Sequence, residues 1–464
     1  MPLSQVGKSK KFSSMFKRFL NFVKKNRISH SKKKNLKQIS NKYLGINKKF
    51  ISPGSIEIVN SLQKNGYYSL IVGGAIRDIL LGLKPKDFDV VTNARPEQIK
   101  KIFRRSRIIG KRFKLVHVFA KDEVIEVSTF RSKNLTKITY NSSGRITRDN
   151  SFGRRDEDAN RRDLSINALY FDPIQDLIFD YHNGIDDIKN KTIRVIGNSS
   201  ERYIEDPVRM LRAIRFSTKL DFVIENEAYL NIHKYASLIN DVPKSRVVDE
   251  IIKLLLTGNS VKGVKELIST NLYKHVMPYA NDLFSNELFP NTNITIKKFT
   301  SYAFSLIDNR ILEKKSISVG FIFACLLWHK LLKSWTHHKS KGLREIPALQ
   351  VAADKISEEN FITFPIQKRH LSDMKEIWRL QPRFDRTRGK APYRLVKNNK
   401  FRIAFNFLKL RESVGMIDSD ILIWWKNFLT HKSIDRIDSL KFVDKQRSSN
   451  LKKNEKETKE NFFL

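Results

Sequence analysis

The sequence predicts an α+β protein, in which a head with a small mixed sheet is followed by a region that is helical almost throughout. Residues 53–190 alternate short apolar runs with helical segments, which is the pattern of a mixed α/β domain. From about residue 191 the apolar residues recur at helical spacing, as in Val208, Leu211 and Ile214. A length of 464 residues with 40% hydrophobic content is enough for two or more domains with real cores.

Short apolar runs in the head are the strand candidates, and the stretch between the last two of them is a predicted loop. This loop covers residues 132–160, which are polar, mixed in charge and punctuated by glycine. The strand candidates are residues 68–72, 88–91, 115–119, 124–130 and 168–171.

Both ends of the chain are predicted to lie outside the core. Residues 1–52 contain no acidic residue, so they are predicted to form a basic, flexible extension. Within it, apolar residues between Met15 and Val23 recur at helical spacing among Lys and Arg, which predicts a basic amphipathic helix. Such a helix could contact RNA, an anionic membrane surface or the protein itself, and organellar presequences have a similar composition. Residues 441–464, rich in Lys, Glu, Asn and Ser, are predicted to be a disordered tail.

The charge balance favours a polyanionic partner. The chain has 88 Lys and Arg against 48 Asp and Glu, a formal charge of +40, although part of this excess reflects a generally Lys-rich composition. Its one cysteine, Cys325, cannot form an intrachain disulfide or a thiolate metal site by itself, which favours a reducing cytoplasm. The longest apolar run, residues 317–328, is too short to span a bilayer. We therefore expect a cytoplasmic protein.

A glycine turn lies between a predicted strand and a short predicted helix. The strand ends at Gly73 and Gly74, where the backbone can come close to a bulky charged group. The helix predicted over residues 75–81 would direct its N-terminal amides at phosphate, with Arg77 one turn in as a countercharge. We interpret this turn as a triphosphate site.

Two carboxylates follow the glycine turn. Asp87 and Asp89 flank Phe88 in the next apolar run, and the period of two in a strand places both acids on one face. Adjacent carboxylates suit Mg²⁺, and two ions are expected, because a two-metal site activates an attacking hydroxyl and stabilises a leaving pyrophosphate. Either motif alone is usually structural, but the two together, within twenty residues, predict nucleotidyl transfer.

Four sequence blocks support this prediction. They are GGAIRD at 73–78 with DFD at 87–89, IEVSTFR at 125–131, RRDLSINA at 161–168 and EDPVRMLRAIRF at 205–216. In this order they resemble the family of class II tRNA nucleotidyltransferases and bacterial poly(A) polymerases, over about 380 residues. The resemblance implies a nucleotidyltransferase head at 53–190, a helical neck at 191–265 that recognises nucleotide and base, and a helical body at 266–440 that binds RNA.

The third block follows the predicted loop and precedes a strand, so its side chains can converge on the active face of the head. The resemblance implies that Arg162 contacts the triphosphate and that Asp163 is a third active-site acid. Taken alone, Asp163 also fits a solvated charge cluster at the end of a loop. Glu126, in the strand predicted over residues 124–130, is the other candidate for the third carboxylate, because the period of two does not show which face is buried.

The fourth block predicts a helix with Asp206, Arg209 and Arg212 on one side and apolar residues on the other. The resemblance assigns Asp206 and Arg209 to recognition of the adenine edge, with Arg212 nearby. Cytosine presents the same order of donor and acceptor, so this block does not separate the two bases. Asp206 before Pro207 also suits a helix N-cap with proline at the first helical position.

A basic run in the head separates the two branches of the family. Residues 104–118 resemble the signature of bacterial poly(A) polymerases, and residues 376–384 and 401–405 resemble their body. Nine basic residues lie between Arg95 and Lys114 with only Glu97 opposing them, which suits an RNA backbone held without sequence preference. Two departures are that Ala75 stands where many of those polymerases have a third glycine, and that the tail lacks their dense arginine run.

The sequence thus predicts template-independent transfer of AMP from ATP to the 3' ends of RNA, by a monomeric, Mg²⁺-dependent enzyme. A CCA-adding tRNA nucleotidyltransferase is the alternative, and a catalytically silent RNA-binding protein is less consistent with the retained acids. The predicted catalytic acids are Asp87, Asp89 and Asp163, with Asp87 and Asp89 as metal ligands, and the predicted nucleotide contacts are Gly73, Gly74, Arg77, Arg162, Asp206, Arg209 and Arg212.

Overall fold

The computed structural model describes residues 36–110, 114–120, 123–132, 138–140, 146–149, 152–363 and 366–430. The predicted amphipathic helix and the predicted tail at 441–464 lie outside the described residues, as do residues 111–113 of the basic run. Within the described ranges the α+β fold is confirmed, and the predicted head strands are present to within one residue at each end.

An eight-stranded mixed sheet forms the centre of the head, in the order β1-β10-β9-β2-β3-β6-β5-β4. β3 and β6 are parallel, whereas the other neighbours in this sheet are antiparallel. β7 pairs with β8 and β11 with β12 in two small separate sheets. The strands are β1 Lys37–Ser40, β2 Ser69–Val72, β3 Asp89–Thr92, β4 Ser106–Ile109, β5 Leu115–Ala120, β6 Glu123–Thr129, β7 Ile138–Tyr140, β8 Ile146–Asp149, β9 Leu169–Asp172, β10 Leu177–Asp180, β11 Thr192–Ile193 and β12 Val223–Ile224.

Helices account for most of the rest of the described chain. They are α1 Asn41–Leu44, α2 Pro53–Lys64, α3 Gly74–Leu80, α4 Pro96–Ile102, α5 Arg155–Arg161, α6 Gly184–Lys189, α7 Ser199–Glu205, α8 Val208–Leu220, α9 Asn226–Tyr235, α10 Lys244–Leu255, α11 Ser260–Ser269, α12 Tyr273–Val276, α13 Ile296–Leu312, α14 Val319–Leu326, α15 Trp328–Ser340, α16 Glu345–Thr363, α17 Lys368–Leu380, α18 Ala391–Val396, α19 Phe401–Ser413 and α20 Ser419–Thr430.

The structure corrects the boundary predicted for the N-terminal extension. β1 pairs antiparallel with β10, with Lys37 opposite Asp180, so the residues that follow belong to the head. Ile46 and Ile51 are buried, at 6% and 4% exposure. The acid-free composition concealed this strand because β1 lies at the edge of the sheet, where lysine is common and only one side of the strand is paired.

The two faces of the head sheet are covered by different helices. On one face Ala159 of α5 packs with Leu70, Val72, Val91 and Tyr170, across β2, β3 and β9. On the other face α2 and α4 contact β3, β5 and β6. The strands that carry Asp89 and Glu126 therefore have a packed side below them, which holds their positions in the sheet.

The described chain divides into two compact units. The first runs to Leu254 and includes Lys265–His275, and the second comprises Leu255–Val264 and the chain from Val276 onward. In the second unit an aromatic core joins α17 to α20, where Trp425 Nε1 donates to the Phe384 carbonyl at 2.8 Å. No helix in the described part of the chain is long and apolar enough to cross a membrane.

Candidate active site

Asp89 is the first residue of β3, and Asp87 lies two residues before it. Both are exposed, whereas Phe88 and Val90 between and after them are buried, at 7% and 0% exposure. This alternation is the one expected from the sequence, and it places both carboxylates on the side of the chain away from Phe88 and Val90.

The glycine turn lies directly beside these acids. Val72, the last residue of β2, is the register partner of Asp89 on β3. Gly73 has φ +85°, and a Cβ added there would lie 3.7 Å from Arg162 Nη1 and 3.9 Å from Asp89 Oδ2. A side chain at this position would be strained and would fill the space between the two charged groups. The turn, an acid of β3 and an arginine of the third block therefore meet at one place.

Asp89 has a raised pKa. Protein atoms around its carboxyl raise the pKa of Asp89 to about 6, chiefly by desolvation and then by repulsion from Glu126, with Arg162 opposing the rise. Glu126 is the register partner of Asp89 across the parallel pair of β3 and β6. The site thus has an excess of negative charge, which a bound cation would relieve.

Arg162 is held by two buried partners. Its Nε and Nη2 donate to Asp158 Oδ2 at 3.3 and 3.2 Å, and its Nε also donates to the Tyr170 hydroxyl at 3.0 Å. The Tyr170 hydroxyl in turn donates to Asp158 Oδ2 at 2.7 Å. These contacts fix one side of the guanidinium, and Nη1 lies toward Gly73. Asp158 and Tyr170 thereby orient the charge of Arg162.

Replacing Tyr170 with phenylalanine is expected to raise the KM for nucleotide about tenfold with a smaller change in kcat. The change removes two hydrogen bonds, the one from Arg162 and the one to Asp158. A hydrogen bond to a charged group contributes about 1.5–3 kcal/mol, so Arg162 is oriented less strictly. Steady-state kinetics with varied nucleotide would measure the effect. Tyr203→Phe is the matched control, because the buried Tyr203 hydroxyl has no hydrogen-bond partner among the described residues. An equal change of KM in both variants would contradict the orienting role.

Arg77 lies under the glycine turn and is buried, at 3% exposure. Its Nε and Nη2 donate to Asp78 Oδ1 at 2.9 and 2.6 Å, and its Nη1 donates to Asn167 Oδ1. The guanidinium also lies over the ring of Phe216, at 5.0 Å from its centroid. These contacts hold Arg77 in place against the glycine turn. A direct contact of Arg77 with triphosphate remains a prediction.

The Asp163 carboxylate forms an ion pair with Arg212 of the neck. Its Oδ2 accepts from Arg212 Nε at 2.5 Å, and its Oδ1 accepts from the Leu164 N–H at 2.9 Å. Burial alone would raise the pKa of Asp163, but Arg212 and the Leu164 amide outweigh it and hold that pKa below its ordinary value. Both oxygens are thus used within the protein, and the catalytic role predicted for Asp163 stays a prediction.

Asp206 and Arg209, which are predicted to recognise the base, also form ion pairs within the protein. Arg246 of α10 donates to both oxygens of Asp206, at 3.1 and 2.8 Å, and Arg209 Nη1 donates to Glu205 Oε2 at 2.7 Å. The N-cap interpretation of Asp206 is wrong, because α8 begins at Val208 without any side-chain cap. The carboxylate is instead held by the neighbouring helix.

Sequence reasoning missed several residues that organise this region. The spacing of Asp158 and Arg162, four apart, is the usual signal for a helical ion pair and was available in the sequence. No local signal identifies Tyr170 or Arg246, because each acts through tertiary packing. The same holds for Glu250 of α10, which accepts from Arg215 Nε at 2.7 Å.

Comparison with known proteins fits this geometry. Residues 69–194 match the family described as "Poly A polymerase head domain". Residues 221–284 match the family described as "Probable RNA and SrmB- binding site of polymerase A", and residues 341–460 match the one described as "Polymerase A arginine-rich C-terminus". Poly(A) polymerase I of Salmonella typhi is 37% identical over 392 residues, which is 82% of this chain and 83% of that protein. The chain belongs to the bacterial poly(A) polymerase family. It is a nucleotidyltransferase.

CCA-adding enzymes are similar in sequence to a smaller part of this poly(A) polymerase family member. The enzyme of Ligilactobacillus salivarius is 37% identical over 227 residues, covering 49% of this chain and 55% of that protein. The crystal structure of the Bacillus stearothermophilus CCA-adding enzyme in complex with CTP gives a TM-score of 0.52 at 22% identity, over 81% of this chain and 82% of that one. Similarity at this level shows a shared fold.

Proposed function

We propose that the protein transfers AMP from ATP to the 3' ends of RNA without a template, releasing pyrophosphate. The meeting of Gly73, Asp89 and Arg162 within about one side chain of each other carries the proposal, because a single nucleoside triphosphate can contact all three. The RNA would be messenger RNA or a decay intermediate. The protein would act as a monomer, and its single buried cysteine favours the cytoplasm.

Asp87 and Asp89 are the residues that would hold Mg²⁺, and we propose two ions. No group of three or more metal-binding side chains is assembled in the described part of the chain, but Mg²⁺ commonly takes one or two carboxylates together with substrate phosphates and water. The repulsion that raises the pKa of Asp89 fits such a cation site. When bound, two ions supply activation of the attacking 3'-hydroxyl and compensation of the charge on the leaving pyrophosphate.

Glu126 is better placed than Asp163 to act as the third carboxylate. It is exposed and lies beside Asp89 in the register of β3 and β6, with its charge acting on that acid. Asp163 is already paired with Arg212. We therefore propose that Glu126 completes the acidic site and that Asp163 positions Arg212 and the start of the neck.

The remaining residues of the chain would orient the nucleotide. The backbone at Gly73 and Gly74 can approach the triphosphate closely, and Arg162 would offset its charge from the position set by Asp158 and Tyr170. On the neck, Asp206 and Arg209 offer an acceptor and a donor for the base, with Arg212 nearby. Those two groups fit adenine and cytosine alike, so the preference for ATP rests on family membership.

The function is tested by supplying an unstructured oligoribonucleotide with each of the four NTPs separately. We expect extension with ATP and Mg²⁺, and little or none with CTP, UTP or GTP. Denaturing gel electrophoresis resolves the products to single nucleotides. A tRNA lacking its terminal CCA, supplied with CTP and ATP, tests the alternative. CTP-dependent extension of that tRNA that stops after three nucleotides would show a CCA-adding enzyme instead.

A further inference from the structure

A row of polar side chains runs from the candidate active site to the edge of the sheet. Asp89 on β3 is the register partner of Glu126 on β6, Glu126 of His117 on β5, and His117 of Arg107 on β4. Register partners in neighbouring strands lie on the same face of a sheet. Four adjacent strands thus place these four side chains in one line, in which Glu126 Oε1 and His117 Nε2 are 3.5 Å apart.

This face is opposite the one on which α2 and α4 pack. Ile125 and Val127 of β6 and Val116 and Val118 of β5 alternate with the residues of the row and are buried. The outward residues beside the row are exposed, including Phe119 at 43% and Val124 at 49%, which are register partners of each other. We use the name edge face for the outward side chains of Arg105, Arg107, His117, Phe119 and Val124.

The chemistry of the edge face suits single-stranded RNA. Arg105 and Arg107 are exposed, and neither forms an ion pair with any residue that the structure describes. Their charges are therefore available for backbone phosphates. The Arg105 carbonyl accepts from the Phe119 N–H at 3.0 Å, so a residue with a cationic side chain and one with an exposed aromatic ring are neighbours on adjacent strands. Cations interleaved with a ring on which a base can stack are typical of sequence-tolerant single-strand binding.

We propose that the edge face holds the 3'-terminal nucleotides of the RNA as they approach Asp89. Three strand spacings separate β3 from β4, which is about 14 Å, and the row leads from the cations to the acids without a break. The two acids at its inner end, Glu126 and Asp89, repel phosphate, so the strand is guided by the outer cations until the 3'-hydroxyl reaches the acids. This inference rests on the proposed function.

The test compares two double variants of the full chain. Arg105→Ala with Arg107→Ala removes the cations of the edge face. Lys42→Ala with Lys64→Ala is the neutral control, because both lysines are exposed and lie elsewhere in the head. Primer extension at saturating ATP, with varied concentration of a fluorescein-labelled oligoadenylate, gives the RNA KM at several salt concentrations.

We expect the edge-face double variant to raise the RNA KM about tenfold. The slope of log KM against log salt concentration should decrease by about 1.4, which corresponds to the loss of two phosphate contacts. The KM for ATP is expected to stay unchanged, and Phe119→Ala is expected to raise the RNA KM at least about fivefold through lost stacking. Fluorescence anisotropy of the same oligoadenylate, together with thermal melting, separates lost binding from lost folding.

Two results would overturn this proposal while leaving the proposed function intact. One is an unchanged RNA KM in the edge-face double variant, which would indicate that this face binds another partner, such as a protein. The other is an equal rise of the RNA KM in the Lys42 and Lys64 double variant, because the effect would then come from overall charge. Failure of the wild-type protein to extend any RNA would instead reject the proposed function.

Discussion

Replacing Asp89 with asparagine is expected to abolish AMP transfer while leaving the protein at least as stable as the wild type. The activity should fall at least about a thousandfold, because metal ions contribute several kcal/mol to such reactions and each 1.36 kcal/mol is a factor of ten. Stability should not fall, because the pKa of Asp89 is raised to about 6 in the folded protein. Its charge therefore opposes folding above that pH, and asparagine carries no charge.

Primer extension and thermal melting at pH 8 measure the two effects. Asp249→Asn is the control, because Asp249 is an exposed aspartate of α10 that the site does not use. The gain in melting temperature should be small, since Asp89 is accessible to solvent. A variant that keeps full activity, or one that melts well below the wild type, would contradict the metal-site assignment.

The same acid sets a pH dependence for the wild type. At low Mg²⁺, activity is expected to fall as the pH drops through about 6, because protonated Asp89 cannot bind a cation. Metal and proton compete for the carboxylate, so higher Mg²⁺ should move this fall to lower pH. A profile that does not respond to Mg²⁺ would assign the titration to another group.

Glu126→Gln is expected to lower kcat about a hundredfold or more, whereas Asp163→Asn should cost mainly stability. Glu126 is the side chain whose charge raises the pKa of Asp89 after desolvation, so its removal also lowers that pKa. In Asp163→Asn the guanidinium of Arg212 loses a charged partner, although Glu250 remains 3.7 Å from its Nη1. A hydrogen bond between charged groups is worth about 1.5–3 kcal/mol, which should appear as a lower melting temperature.

Single-turnover rates, pH profiles and melting curves of both variants distinguish the two acids. The acid limb of the pH profile should move to lower pH in Glu126→Gln and stay in place in Asp163→Asn. The opposite pattern, with Asp163→Asn inactive and normally stable, would restore Asp163 as the third catalytic acid.

The local parts of the site could be predicted from the sequence because their signals are local. Period two placed Asp87 and Asp89 on one face, and the paired glycines marked the turn. The position of Glu126 beside Asp89 could not be predicted, because it depends on the parallel pairing of β3 with β6. β4 and β5 lie between those two strands in the chain. The ion pairs of Asp163 and Asp206 likewise join residues that are distant in sequence.

The one parallel pair among the described strands of the eight-stranded sheet determines which part of the head connects the two acids. Parallel neighbours need a crossover, and here α4, β4 and β5 form it between β3 and β6. The crossover lies toward the rim of the sheet, while Asp89 and Glu126 lie on the interior strands at its two ends. Changes in the length or charge of this segment would therefore alter contacts at the rim of the sheet and leave the spacing of Asp89 and Glu126 unchanged.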